Sequence, residues 1–387
     1  MTRFLVNKLF DGERWLKHQV VEIEGQRIKR ISPRASQDDG IDLDGIEVDK
    51  LVPGFIDVHV NGGGGALFNH EPSLVSLNTM IQVHAQYGTV AMMPTLISDD
   101  FSIMSAAHKV INQAIESEMP GILGIHYEGP YLNPVRKGVH DEGKLRSPTE
   151  DKVASLLSLP ESGKLMVTLA PEQVPADFVS WLVAQDAIVC IGHSAATYEE
   201  AMAAVNNGAR GFTHLFNAMS GLTSREPGVV GAALQTGHDT WCGLIADGHH
   251  VHPAVMKVAL AAKGSERVML VTDAIQSVGY EASEMALLGK KVIRHQGKVT
   301  TEDGTLAGSD LDMASAVRNA VKLIGLDEAS ALQMASLRPA EFLGLDEEFG
   351  RIQVGYRASL VALDDDLFVQ QTWIDGEIAY QAETVQV

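Results

Sequence analysis

The chain has 387 residues, 45% of them hydrophobic, a mean hydropathy of +0.03 and a formal charge of −20. An acidic balance of this size excludes general nucleic-acid binding, which needs a basic surface, and no apolar run approaches the roughly 20 residues that cross a bilayer. An anionic substrate would meet a repulsive field here, and needs a local cluster of Arg, His or backbone N–H donors.

Residues 1–50 hold short strand-like pieces, "FLVNKLFDG" and "QVVEIEGQRIKRI", and the opening stretch lacks the pattern of a cleavable signal. Eight apolar runs follow between residues 50 and 275: "KLVPGFIDVHV", "GTVAMMPTLIS", "GILGIHYEGPYL", "KLMVTLAPE", "AIVCIGHSA", "ARGFTHLFNA", "WCGLIADGHH" and "RVMLVTDAI". Helix-like segments at 73–87, 102–117, 198–207 and 253–262 separate several of them, and Pro253 opens the last where proline is tolerated. This alternation signals a parallel sheet. Most runs begin apolar and finish in a polar or ionisable group: His59 or Asn61, Thr95, Glu128, Glu172, His193, His214, Asp247 or His250, and Asp273. Polar groups collected at the carboxyl ends of eight strands are the layout of a (β/α)8 barrel, whose active site lies at that face. A β-like insertion, "MALLGKKVIRHQGKVTTEDGTLAG", precedes helical segments at about 311–324 and 328–337. The last stretch, 350–387, returns to short strands, so both ends of the chain are expected to combine in one small β domain. The expected division is 1–50 plus 345–387 for that domain and 51–344 for the barrel. Cys190 and Cys242 sit inside apolar runs and read as core residues of a reducing compartment, without a disulfide.

Glu128, in "IHYEGPYLN", is either a metal ligand or a buried acid that needs a partner. A lone strand-end histidine is more often structural, yet His193 and His214 end successive strands two and three steps after Glu128. Two imidazoles and one carboxylate make an open catalytic zinc set, with a position left for water, and a bound metal brings that water's pKa towards neutrality. Asp273 reads alone as a cap or an ion-paired acid; beside such a water it suits a general base. In "DVHVNGGGG", His59 and Asn61 point the same way from one strand and raise the question of a further metal clamp. His140 lies in the long loop after the third strand, within reach of the barrel mouth. Arg225, in "TSREPGVVG", is of the type that grips phosphate, and "DGHHVHP" carries His249, His250 and His252, the last read as solvent-facing. His70, His84, His108, His238 and His295 fall in helical or loop segments and are given no functional role.

Together "PGFIDVHVNG", "HYEGPYLN", "KGVHDE", "IGHSAAT", "THLFNAMSGLTSREPG", "IADGHHV", "LVTDA" and "GTLAGSDLDM" resemble the N-acetylglucosamine-6-phosphate deacetylases of the amidohydrolase superfamily, over nearly the whole chain. The resemblance implies a (β/α)8 TIM-like barrel with a small β-sandwich domain built from both termini. It also implies removal of acetate from the 2-acetamido group of N-acetylglucosamine 6-phosphate, in amino-sugar catabolism. Glu128, His193 and His214 match the family's metal ligands, Asp273 its acid/base, and His140 a residue near the amide carbonyl. Val139, His140, Asn217, Ala218, Arg225 and His250 match positions that hold the phosphosugar, with Leu306, Ala307 and Gly308 as a backbone contact. Arg225 is placed to reach a neighbouring subunit's site in a homodimer or larger homo-oligomer. The resemblance further implies one divalent metal per subunit, zinc foremost, with iron, cobalt or manganese also suited to the set. Some relatives carry His-x-His at the first strand and bind two metals, and others lack both histidines and use one. The His59/Asn61 pattern lies between them, so His59 is expected beside the single metal or at a weak, partial second site. Neither nucleic acid nor membrane is expected as a partner, and the compartment is the cytoplasm. A cyclic-amide hydrolase or deaminase would show the full His-x-His and often a carboxylated lysine on the fourth strand, which here ends "VTLAPE". A non-catalytic protein of the same fold would not need the ligand set together with Asp273.

Overall fold

Pro53 and Gly54 break the run "KLVPGFIDVHV" in two: Ile46–Pro53 joins one sheet and Phe55–Val60 begins another. The computed structural model describes residues 1–34, 44–148 and 156–383. Phe55–Val60 is the first of eight parallel strands, followed by Thr89–Ile97, Gly124–Glu128, Lys164–Leu169, Ala187–Ile191, Gly211–Phe212, Trp241–Leu244 and Val268–Leu270. Each pairs with the next, and the ring closes where Val60 bridges Ala274 and the Asp273 N–H donates to the His59 carbonyl at 2.9 Å. These strands are buried almost throughout, as befits a parallel sheet covered on one side by helices and filled on the other by side chains.

Four helices fall where periodicity and start signals put them, Leu74–Ala85, Phe101–Glu116, Tyr198–Asn206 and Pro253–Lys263, while Phe178–Val183 and Gly228–Gln235 were not expected. Thr197 and Glu200 form a reciprocal capping box at the start of the third. His252, read as solvent-facing, is exposed and also caps the fourth by accepting from the Ala254 N–H at 3.1 Å. Met313–Asn319, Ala320–Ile324, Glu328–Ala335 and Leu337–Leu343 complete the helical layer after the eighth strand. Among the described residues no helix is long and apolar enough to cross a membrane.

The two chain ends meet in one seven-stranded sheet ordered 377–381, 369–374, 360–363, 46–53, 2–10, 15–24 and 27–33. Alternation along Leu360–Leu363 shows how it attaches. Leu360 and Ala362 enter a core with Phe4, Val6 and Trp373, while Val361 and Leu363 enter the barrel's core. The insertion forms three antiparallel strands, Glu284–Leu287, Lys290–His295 and Lys298–Thr301. It shares a core with Leu67, Ile275 and Ala307, against which Val139 packs, and Lys290 Nζ donates to the Val139 carbonyl at 3.1 Å. The insertion is thereby tied to the loop after the third strand.

Gly54 is needed where the two sheets meet, because a Cβ there would lie 2.3 Å from Val90 Cγ1 and 2.4 Å from Cγ2. Gly54→Ala should lower stability by about 1–3 kcal/mol through overpacking, and Val90→Ala in the same chain should recover much of the loss. Denaturant midpoints measure both; an unchanged midpoint for Gly54→Ala would refute the steric reading.

Candidate active site

Glu128 ends the third barrel strand with its side chain buried, and its two carboxylate oxygens face different neighbours. Oε1 lies 2.9 Å from His193 Nε2 and 3.2 Å from His214 Nε2, and those two nitrogens are 2.9 Å apart. Oε2 faces His59 Nε2 at 3.4 Å and His140 Nε2 at 3.7 Å. His59 Nε2 in turn lies 3.2 Å from Asp273 Oδ1, which also accepts from Asn61 Nδ2 at 2.7 Å. His193 has its Nδ1 2.8 Å from the Arg136 carbonyl, so the neutral ring donates there and keeps its lone pair on Nε2. Three electron-rich atoms thus converge within 3.2 Å, a donor set that a cation satisfies. Tetrahedral ligands at roughly 2.0–2.1 Å from zinc stand about 3.3 Å apart, so the residues fit a divalent ion.

Protonation agrees with that fit. Burial alone would raise the Glu128 carboxyl, but His59, His140, His193 and His214 outweigh it and hold the group well below the usual carboxylate range. Burial lowers His214, and lowers His140 to about 4, keeping both imidazoles in the neutral form that binds metals. For His59 burial also opposes the charge, yet Asp273 and Glu128 prevail and raise it to about 9.

The backbone is strained where these groups emerge. His193, His214 and Asp273 have φ of 49°, 33° and 52°, a region that non-glycine residues seldom occupy. Such strain persists where surrounding bonds over-determine the conformation. For Asp273 those bonds include its own N–H to His59 and its carbonyl accepting from Ser309 N–H at 2.9 Å.

A cavity of about 520 Å³ lies above this cluster. Glu128, His140, His193, His214, Asp273, Asn61 and His250 line it, as do Val139, Asn217, Ala218, Leu306 and Gly308. His59 lies outside that lining, buried beneath with Val58, Thr213 and His214 around a small void. Ala307 sits in the insertion's core, its N–H donated to the Val299 carbonyl at 3.1 Å. Arg225 is exposed and away from the cavity, with no hydrogen bond or ion pair within the chain among the described residues. Its neighbour Glu226 shapes that loop by accepting from the N–H groups of Tyr198 at 2.9 Å and Gly228 at 2.8 Å. His250 Nδ1 pairs with Asp247 Oδ2 at 2.6 Å; burial opposes the His250 charge, but the carboxylate prevails and raises its pKa. Asp247 is held low by the same pair against the effect of burial. His249 is exposed beside it.

Sequence reasoning picked out Thr95 but overlooked the other polar groups inside the apolar runs. Ser98 Oγ stands 3.0 Å from His140 Nδ1 and 3.2 Å from the Glu128 carbonyl. Below the cluster, Thr95 Oγ1, His126, Thr168 Oγ1 and Thr213 Oγ1 form a continuous chain at 3.1, 2.7 and 2.7 Å. The alternation of polar and apolar residues in "IHYE" and "MVTL" was the available signal. His84 also has a part: its Nε2 meets the Gly62 carbonyl at 2.8 Å and steadies the glycine turn after the first strand. Thr168→Val keeps the shape but removes the partner of His126 Nε2, and should cost about 1–3 kcal/mol. Chemical denaturation tests this, and a wild-type midpoint would show that the chain of hydroxyls carries no stability.

Residues 51–379 match the amidohydrolase family. The barrel, the strand-end cluster of Glu128, His193 and His214, and this match define the class: the chain belongs to the amidohydrolase family, whose members are metal-dependent hydrolases. Its similarity is narrower than that. It is 48% identical, over 86% of its length and 84% of the relative's, to an N-acetylgalactosamine-6-phosphate deacetylase of Shewanella sp. (strain ANA-3). It is 39% identical to the protein of that name from Escherichia coli O157:H7, over 98% of this chain and 100% of the other. The crystal structure of N-acetylglucosamine-6-phosphate deacetylase from Pasteurella multocida superposes with a TM-score of 0.91 at 32% identity, covering 97% of this chain and 99% of that one.

Proposed function

We propose that the protein removes acetate from an N-acetylated hexosamine 6-phosphate, giving the amino sugar phosphate in amino-sugar catabolism. The observation that carries this is the convergence of Glu128, His193 and His214 under a cavity that Asp273 and His250 also line. The three convergent groups would hold one divalent ion, zinc foremost. A divalent ion supplies Lewis acidity, polarising the acetamide carbonyl and lowering the pKa of water. Asp273, oriented by Asn61, takes the proton of the attacking water and delivers it to the departing amine nitrogen. His140 faces the carbonyl oxygen. Its ring, lining the cavity beside Glu128, would stabilise the developing oxyanion. Asn61 on Asp273 Oδ1, and a His59 imidazolium already paired with Asp273 and Glu128, favour a single ion.

His250, Asn217 and the backbone near Ala218 would receive the phosphate, and Arg225 of a neighbouring subunit would complete that cluster in a homodimer. An exposed arginine without a partner in its own chain supports that arrangement. Free, buried Cys190 and Cys242 go with a cytoplasmic enzyme. The substrate has two candidate epimers. The resemblance in sequence motifs favours N-acetylglucosamine 6-phosphate, and the 48% and 39% identities to proteins named for the galacto epimer favour N-acetylgalactosamine 6-phosphate.

Acetate release from both sugar phosphates by metal-replete protein, with the metal counted, is the direct test; release from neither sinks the reading. In the same assay Asp273→Asn should keep its metal and lose turnover by about 100-fold or more, whereas near wild-type turnover removes Asp273 from the chemistry. His250 gives a pH signature. Its raised pKa keeps the imidazolium to higher pH than a free imidazole, so the pair with Asp247 stays neutral overall. Above that pKa the pair is anionic and repels phosphate, so KM should rise with pH while kcat changes little. His250→Gln should flatten that limb, and a persisting limb would assign it elsewhere.

A further inference from the structure

Glu172 ends the fourth barrel run and has no place in the chemistry above, yet it collects hydrogen bonds from two loops that carry the site. Oε1 accepts from Asn133 Nδ2 at 2.9 Å and from the Ala195 N–H at 2.7 Å; Oε2 accepts from Ser194 Oγ at 2.7 Å. Ser194 and Ala195 directly follow His193. Asn133 begins the turn Pro134–Arg136, capping it through Oδ1 to the Val135 N–H at 2.8 Å. That turn presents the Arg136 carbonyl to His193 Nδ1, and the Asn133 N–H donates to the His193 carbonyl at 3.0 Å. The bonds therefore form a closed circuit around His193: carboxylate to Asn133, through the turn to Arg136, across to the imidazole, and back through Ser194 and Ala195.

We infer that Glu172 is a positioning residue: it locks the His193 imidazole in the tautomer and direction that the metal set needs. A carboxylate offers acceptors to three donors from two loops at once. The circuit holds His193 at its unfavourable φ of 49° and fixes the partner of its Nδ1, and partners of this kind govern the affinity of a histidine ligand. Ser194 Oγ is also committed, accepting from the Ala196 N–H at 3.0 Å, so its hydrogen goes to Glu172. The inference rests on the reading of His193 as a ligand, and not on which sugar the protein accepts.

The test is Glu172→Gln, which keeps the size of the side chain but puts an NH2 group where an acceptor stands. Zinc affinity is measured on the metal-free protein by competition with a chelator, alongside melting temperature, kcat and KM. The expected result is zinc affinity down by roughly 10–100-fold and kcat down with it at limiting metal, with melting of the metal-free protein and KM close to wild type. Ser194→Ala removes one of the three donors and should lower zinc affinity by roughly three- to tenfold, which keeps the test available if the glutamine variant fails to fold. Zinc affinity within twofold of wild type in the folded variant overturns the proposal. A wild-type protein that binds zinc but releases no acetate would sink the substrate reading and leave this one standing on its affinities. A wild-type protein that binds no zinc would sink both.

Discussion

Burying a carboxylate inside a barrel wall is costly unless positive or donor groups surround it, and that requirement at Glu128 organises the site. His193 and His214 gather at one oxygen, and His59 and His140 approach the other. Each comes from a different strand end or loop, so the charge is satisfied only when the barrel has closed with those segments in register. The link between His59 and Asp273 runs across the closure itself, where the first strand meets the segment after the eighth. Asp57 lies in the same seam, fully buried and bonded to Thr272 Oγ1 at 2.5 Å. Fold completion and site completion are therefore one event.

The eight strands were legible because apolar runs ending in polar residues repeat along the chain, a pattern that topology turns into one rim. For the same reason Glu128, His193, His214 and Asp273 could be picked out before their distances were known. The first run was harder, since "KLVPGFIDVHV" is apolar on both sides of Gly54 and only the packing against Val90 shows where one sheet stops. Ser98, His126 and Thr168 hid inside apolar runs, where a lone hydroxyl or ring looks like tolerated polarity. The partner of His193 Nδ1 was out of reach of any reading by residue type, because it is the backbone carbonyl of Arg136. Arg225 was legible as a phosphate-type residue, but its exposure says that sequence proximity to "NAM" does not carry it into the cavity of its own chain.

Polar layers inside such barrels replace the branched aliphatic side chains that usually fill them. Here the threonine–histidine chain lies under Glu128, His193 and His214 and leaves His126 neutral, its pKa pushed far down, first by burial and then by the His59 charge. Rigidity beneath a strained backbone helps to explain how three left-handed residues coexist at the rim. All three side chains line the cavity.

Floor and roof of the cavity have separate origins. The floor comes from strand ends locked into the closed barrel. The roof comes from Leu287, Thr305 and Leu306 of the insertion region and Val139 of the third loop, joined by Lys290. Gln276 Nε2 joins the two layers through a backbone carbonyl of the insertion, that of Ala286, at 2.7 Å, so side chains can change in the roof without disturbing the charge balance below. Two proteins of this build could diverge in which sugar stereoisomer they admit while the bond-breaking apparatus stays the same, and descent within the family would then be recorded in the insertion rather than at the metal.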